Sequence, residues 1–272
     1  MSETDSAQPD PRRASAWPRR VKAPYARQIS PDELKSWILH EDENVLVFNK
    51  PGGVVCHPSK AGPASSLAGA VRGYSGLAAA HLVFRLDRET SGVVLFAKTP
   101  AVAGRLQKAL GLRLTGKAYL AVMTGEFSIP VAVDGPLGDD ERSLVFAKAA
   151  VRPDGRAAVT RFTPLSAGGG FTLARVVTET GRKHQIRAHA QHIGHSIVGD
   201  KIYGPDAGLF LDFIERGWTP SLAEKLLMPR HALHCAEIDM RKAGLDRVFS
   251  APMPDDMRSF CEARGVAVPD GL

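Results

Sequence analysis

The chain has 272 residues, 44% of them hydrophobic and 24% charged, with a formal net charge of +6. This globular composition excludes disorder as the default, and the length suffices for one large domain or two small ones. No apolar run is long enough to cross a bilayer. Cys56, Cys235 and Cys261 are odd in number and show no C-x-x-C spacing, the pattern of reduced thiols.

In chain order, residues 1–29 read as a flexible basic arm. Arg12, Arg13, Arg19, Arg20, Lys22 and Arg27 alternate there with Pro9, Pro11, Pro18 and Pro24, with no hydrophobic period. Such an arm suits phosphate contacts without sequence information, or simply solubility. Glu3, Asp5 and Asp10 argue against a transit peptide, and no charged-then-apolar secretory leader is seen. The expectation is a cytoplasmic protein with no membrane partner.

Residues 30–272 read as one folded domain. Ser30-Pro31-Asp32-Glu33 is a capping box that predicts a short helix through Leu39. Asn44 to Asn49 predicts a strand, and Lys50-Pro51-Gly52-Gly53 a turn. Residues 65–73 suit a short helix, 92–98 a strand, and 99–110 a helix with Val102, Leu106 and Leu110 in period. Strands follow over 117–125, 128–134, 157–164 and 171–178, with Gly168-Gly169-Gly170 as a hairpin turn. Lys183 to Ile193 predicts a helix, with weaker helices at 206–216 and 220–227. Strands over 230–240 and 247–250 and a helix over 254–264 close the chain. Strands without regular βαβ alternation predict an α+β fold on a mainly antiparallel or mixed sheet.

Three segments carry candidate chemistry. Arg85-Leu86-Asp87-Arg88-Glu89-Thr90-Ser91-Gly92 places Asp87 between arginines, which favours its ionised form as a nucleophile or base. Tyr119 shares a strand face with Lys117, where a phenol could stack on a flat ring; core packing is the plainer account. In Thr180-Gly181-Arg182-Lys183-His184-Gln185-Ile186-Arg187, a helix start with Arg182 and Lys183 in its first turn is a natural phosphate seat, or merely a solvated basic end. Arg187, one turn beyond Lys183, could pair with Asp87.

His184, His189, His192 and His195 show no metal-site framing such as H-E-x-x-H, and surface and core histidines account for them better. In an extended segment Asp87 and Glu89 would share a face about 7 Å apart, the spacing of an inverting glycosidase pair. No aromatic sugar groove accompanies them in sequence. Walker A, G-x-G-x-x-G and G-x-S-x-G motifs are absent.

Taken in order, N-V-L-V-F-N-K-P-G-G-V-V-C-H-P (44–58), R-L-D-R-E-T-S-G (85–92), K-A-Y-L-A-V (117–122), E-T-G-R-K-H-Q-I-R-A-H (179–189), I-G-H-S-I-V-G-D-K-I-Y-G (193–204) and R-H-A-L-H-C (230–235) resemble the RluA-type family of RNA pseudouridine synthases. The resemblance implies a curved, largely antiparallel sheet in two halves with an active cleft between them. It implies Asp87 as the catalytic aspartate, Tyr119 as the active-site tyrosine and Arg187 as the partner of the aspartate. Arg85 would contact RNA around a flipped base, with Arg182, Lys183 and His184 as further RNA contacts and Lys50-Pro51 as a structural turn. The substrate would be a uridine in ribosomal or transfer RNA, isomerised without metal or other cofactor by a monomer with no obligatory protein partner; the rival is an inactive RNA-binding or RNA-chaperone relative. The chain departs from the pattern at Phe84, where the family has histidine before R-L-D, with His81 three residues earlier. It also shows no separate N-terminal RNA-binding domain, only the basic arm.

Overall fold

The computed structural model describes residues 27–57, 63–77 and 79–272, so the basic arm lies outside the described residues as far as residue 26. Ile29, counted with the arm in the sequence, is buried, and its N–H donates to the Ala64 carbonyl at 2.8 Å. The strands are β1 (Ile38–Glu41), β2 (Val45–Lys50), β3 (His81–Leu82), β4 (Ser91–Ala97), β5 (Gly116–Thr124), β6 (Val131–Asp134), β7 (Leu137–Asp139), β8 (Ala149–Val151), β9 (Val159–Gly168), β10 (Phe171–Thr178), β11 (Leu233–Asp239) and β12 (Val248–Ser250). Among the described residues the α-helices are α1 (Pro31–Ser36), α2 (Leu67–Ser75), α3 (Pro100–Gly111), α4 (Gln185–His192), α5 (Gly208–Arg216), α6 (Pro220–Leu226) and α7 (Asp255–Ala263).

Every residue of β4 is buried, as its unbroken apolar run requires of a strand covered on both faces. It lies inside a ten-stranded sheet of order β1-β2-β4-β11-β5-β10-β9-β6, with β3 also on β4 and β12 also on β11. All pairings in this sheet are antiparallel except β4 with β11, which run parallel through Ser91–His234 and Gly92–Cys235. The sheet is therefore mixed and mainly antiparallel, and that parallel seam divides it. One half packs Phe48, Phe96 and Leu106 into a core with α2 and α3; the other packs Met123, Phe162 and Leu173 with Met257 of α7. Gly92 lets the seam close. At φ +112° a Cβ there would stand 2.2 Å from the Cys235 carbonyl oxygen.

Local differences from the sequence reading have tertiary causes. Ser30 caps α1 by accepting the Glu33 N–H at 3.2 Å, but the helix ends at Ser36. Leu39 lies in β1, whose pairing with β2 overrides helical propensity. The β7–β8 pair was not foreseen, because three-residue strands are too short to show alternation. Helix α4 starts at Gln185, two residues later than expected, after His184 in a left-handed conformation at φ +55°. Arg182 and Lys183 thus occupy the preceding turn rather than the first helical turn.

Candidate active site

Asp87, Tyr119, Arg187, Arg85, Arg182, Lys183 and His184 all line one open cleft of about 260 Å³, the small end of ligand-site sizes. The turn into β4 supplies Arg85 and Asp87, β5 supplies Lys117 and Tyr119, the turn from β10 into α4 supplies Arg182, Lys183 and His184, and α4 itself supplies Arg187. Asp87 and Arg187 are 100 residues apart in sequence, and the Arg187 Nη1–H donates to Asp87 Oδ2 at 3.0 Å.

Behind that pair stands Asp200, which the sequence reading did not single out. Arg187 is buried and donates from Nε to Asp200 Oδ2 at 2.6 Å and from Nη2 to Oδ1 at 2.9 Å. Asp200 is fully buried, and its Oδ1 also accepts the N–H groups of Ile202 and Tyr203. The guanidinium is thereby fixed in plane, leaving Nη1 for Asp87. Burial alone would raise both carboxyls, yet the Arg187 cation holds each below the usual carboxylate range. Asp87 is ionised at neutral pH and, with its side chain 31% exposed, open to the cleft.

Tyr119 and His184 face the cleft uncharged. Burial, with Cys235 beside it, holds the Tyr119 phenol well above its ordinary pKa. It is a protonated ring suited to stacking, and in this state it is no base for a carbon-bound proton. Burial also pushes His184 down to about 4. The Tyr203 hydroxyl accepts the Ala149 N–H at 2.7 Å, so its own proton goes to His184 Nδ1 at 3.1 Å. That leaves the His184 proton on Nε2, 3.8 Å from Asp87 Oδ2. Lys117 Nζ lies 5.0 Å from the centre of the Phe84 ring, so the residue at the unusual position packs against a cation at the cleft wall.

The expected phosphate seat is partly self-satisfied. Gln185 Oε1 accepts the Arg182 N–H at 3.0 Å and the Thr180 hydroxyl at 2.7 Å. Lys183 reaches Asp139 at 3.1 Å in an exposed pair. Nor do Asp87 and Glu89 face one another across a sugar site. The Thr90 N–H closes a turn onto the Asp87 carbonyl at 3.2 Å, and Glu89 leaves the cleft to meet Lys201 at 2.7 Å. The histidines disperse as well. His189 is buried against Thr160 and the Gly135 carbonyl, His195 meets the Thr124 carbonyl, and His192 is exposed. The Lys50 turn is structural: its buried ammonium donates to the carbonyls of Pro51, Val54 and Arg88.

Residues 44–192 match the family described as RNA pseudouridylate synthase. An uncharacterized RNA pseudouridine synthase of Chlorobaculum parvum is 33% identical over 257 residues, covering 88% of this chain and 77% of that protein. The ribosomal large subunit pseudouridine synthases D of Xanthomonas campestris and Pseudomonas aeruginosa are 34% and 33% identical, over 86% and 82% of this chain and 71% and 70% of their own lengths. Among solved structures, human RNA pseudouridylate synthase domain containing 4 shares the fold with a TM-score of 0.68 at 24% identity, over 88% of this chain and 97% of that one. Human RNA pseudouridylate synthase domain containing 1 does so with a TM-score of 0.57 at 21% identity, over 86% and 96%. The chain belongs to the RluA-type family of RNA pseudouridine synthases, isomerases that act on uridine in RNA.

Proposed function

We propose that the protein isomerises a specific uridine of large-subunit ribosomal RNA, with Asp87 as its catalytic carboxylate. One observation carries the assignment: Asp87 is the one carboxylate among the described residues lining the cleft, and Arg187 holds it ionised there. A uridine must leave its stack to reach it, at a cost of a few kcal/mol. Tyr119 then stacks on the uracil, and Arg85, Arg182, Lys183 and His184 contact the flanking RNA. The exposed Lys183–Asp139 pair is worth about 1 kcal/mol or less, so a phosphate can replace the carboxylate.

The reaction breaks N1–C1′, turns the base and joins C5 to C1′. Asp87 serves it either by attacking C1′ or by removing a sugar proton to give a glycal, and its ionised state suits both. C5 loses a proton and N1 gains one, so the chemistry is internally balanced and calls for no metal, nucleotide or redox cofactor. Three buried free thiols fit the reducing cytoplasm.

Ribosomal RNA is favoured over transfer RNA by the names of the relatives. Tritium release from C5-labelled uridine, measured on large-subunit rRNA and on bulk tRNA transcripts, tests the choice. Release from rRNA is expected; release from tRNA alone would overturn it.

A further inference from the structure

The turn that carries Asp87 is held from behind by Glu89, Lys201, Arg230 and His231, none of which lines the cleft, and they meet it through Thr90, which does. Glu89 points inward: its Oε1 accepts from Lys201 Nζ at 2.7 Å, and its Oε2 accepts the His231 N–H at 3.2 Å. Lys201 is buried, donates also to the Pro229 carbonyl at 2.6 Å, and lies 4.6 Å from the centre of the Phe213 ring. Thr90 Oγ1 lies 2.7 Å from His231 Nε2, and the Arg230 Nη1–H donates to the Glu89 carbonyl at 3.3 Å. Arg230 is in turn fixed by a two-pronged contact with Asp256 at 2.6 and 2.7 Å. Gly199 makes room for this arrangement, since a Cβ there would stand 2.0 Å from the Arg230 carbonyl oxygen.

Burying Lys201 and His231 against the partly exposed Glu89 is not the cheapest way to fill this space, because apolar residues of similar volume often give equal or greater stability. The His231 ring bears a further cost. Its Nδ1 is buried without a hydrogen-bond partner, 3.5 Å from Glu89 Oε2. Placing the ring proton on Nδ1 turns it toward that carboxylate and leaves Nε2 to accept the Thr90 hydroxyl proton. The imidazole is thus oriented by the Thr90 hydrogen bond at Nε2 and by the Glu89 carboxylate beside Nδ1, and these are the two residues that follow Asp87 and Arg88 in the turn.

We propose that His231, Glu89 and Lys201 are positioning residues that set where the Asp87 carboxylate stands, acting through the Thr90 hydroxyl. The inference rests on Asp87 being the catalytic carboxylate. None of the three lines the cleft, so they act on the reaction step and not on RNA affinity.

The test is single-turnover isomerisation at saturating rRNA fragment, with RNA affinity measured separately, for Thr90→Val, Thr90→Ser, His231→Phe and the Thr90→Val/His231→Phe double variant. Displacing a catalytic group by a fraction of an ångström costs on the order of ten- to a hundredfold in rate. Thr90 lines the cleft, but Val matches its size there, so Thr90→Val should show such a loss with RNA affinity unchanged, and Thr90→Ser, which keeps the hydroxyl, should restore the rate. The double variant should be no slower than the slower single one, because both remove the same contact. A wild-type rate for Thr90→Val, or a Thr90→Ser variant as slow as Thr90→Val, would overturn the proposal. If His231→Phe fails to fold, the Val and Ser pair decides alone. Asp87→Asn, run alongside, separates the two readings: turnover in that variant removes the catalytic assignment itself, whereas its inactivity beside a fully active Thr90→Val removes only the positioning role.

Discussion

Asp200→Asn is the substitution whose cost the geometry defines most closely. The carboxylate is fully buried and accepts four hydrogen bonds, two from Arg187 and two from the backbone N–H groups of Ile202 and Tyr203. An asparagine oxygen at the Oδ1 position keeps the backbone contacts and the Nη2 bond. Its amide then faces Arg187 Nε donor to donor, across the 2.6 Å gap, and the compensating charge is gone. Breaking one side of a buried ion pair costs about 3–5 kcal/mol. For a chain of this size that lowers Tm by roughly 6–20 °C. Asp87→Asn should cost far less, since Asp87 is partly exposed and Arg187 keeps its two bonds to Asp200. Chemical and thermal denaturation of the two variants measures the asymmetry. A loss of stability at Asp200 no larger than at Asp87 would refute the view that Asp200 anchors the guanidinium.

Acidification should destabilise the protein through its buried histidines. Burial lowers His184 and His234 to about 4, so the unfolded chain binds more protons below pH 6.5 and stability falls as pH drops from there toward 4. The loss is roughly 2 kcal/mol per histidine at pH 5, readable from urea midpoints, and unchanged midpoints between pH 7 and 5 would contradict it. Tyr119→Phe should keep RNA affinity, whereas Tyr119→Ala should lose about 1–3 kcal/mol of binding if the ring stacks on the base. Equal affinities for the two would exclude stacking. Deleting residues 1–26 removes Arg12, Arg13, Arg19, Arg20 and Lys22 but keeps buried Ile29 and the Arg27–Glu33 pair. Tm should hold, while the salt dependence of RNA binding becomes shallower by up to about 4 in log–log slope.

What the sequence reveals depends on how local its cause is. The apolar run of β4, the Ser30 cap and the Thr99-Pro100 start of α3 are local signals and appear where they were expected. The cleft residues were legible only as members of ordered motifs, because nothing in residues 85–92 alone specifies a partner 100 positions away. Asp200 was hidden in the block around Gly199, although a glycine beside a buried-prone turn hints at close backbone approach. The Glu89–Lys201–His231 cluster was not legible at all. It assembles three separate segments, and only the turn at Asp87–Thr90 sends Glu89 away from Asp87. An extended reading of that segment had put them on one face.

The most direct test of the account is single-turnover isomerisation by Asp87→Asn on an RNA that the wild-type enzyme modifies, with binding of that RNA measured in parallel. The account predicts no detectable pseudouridine and wild-type affinity, since the substitution removes the ionised carboxylate but spares Arg187, Asp200 and the cleft walls. Turnover at the wild-type rate would contradict it and move the chemistry to another group in the cleft.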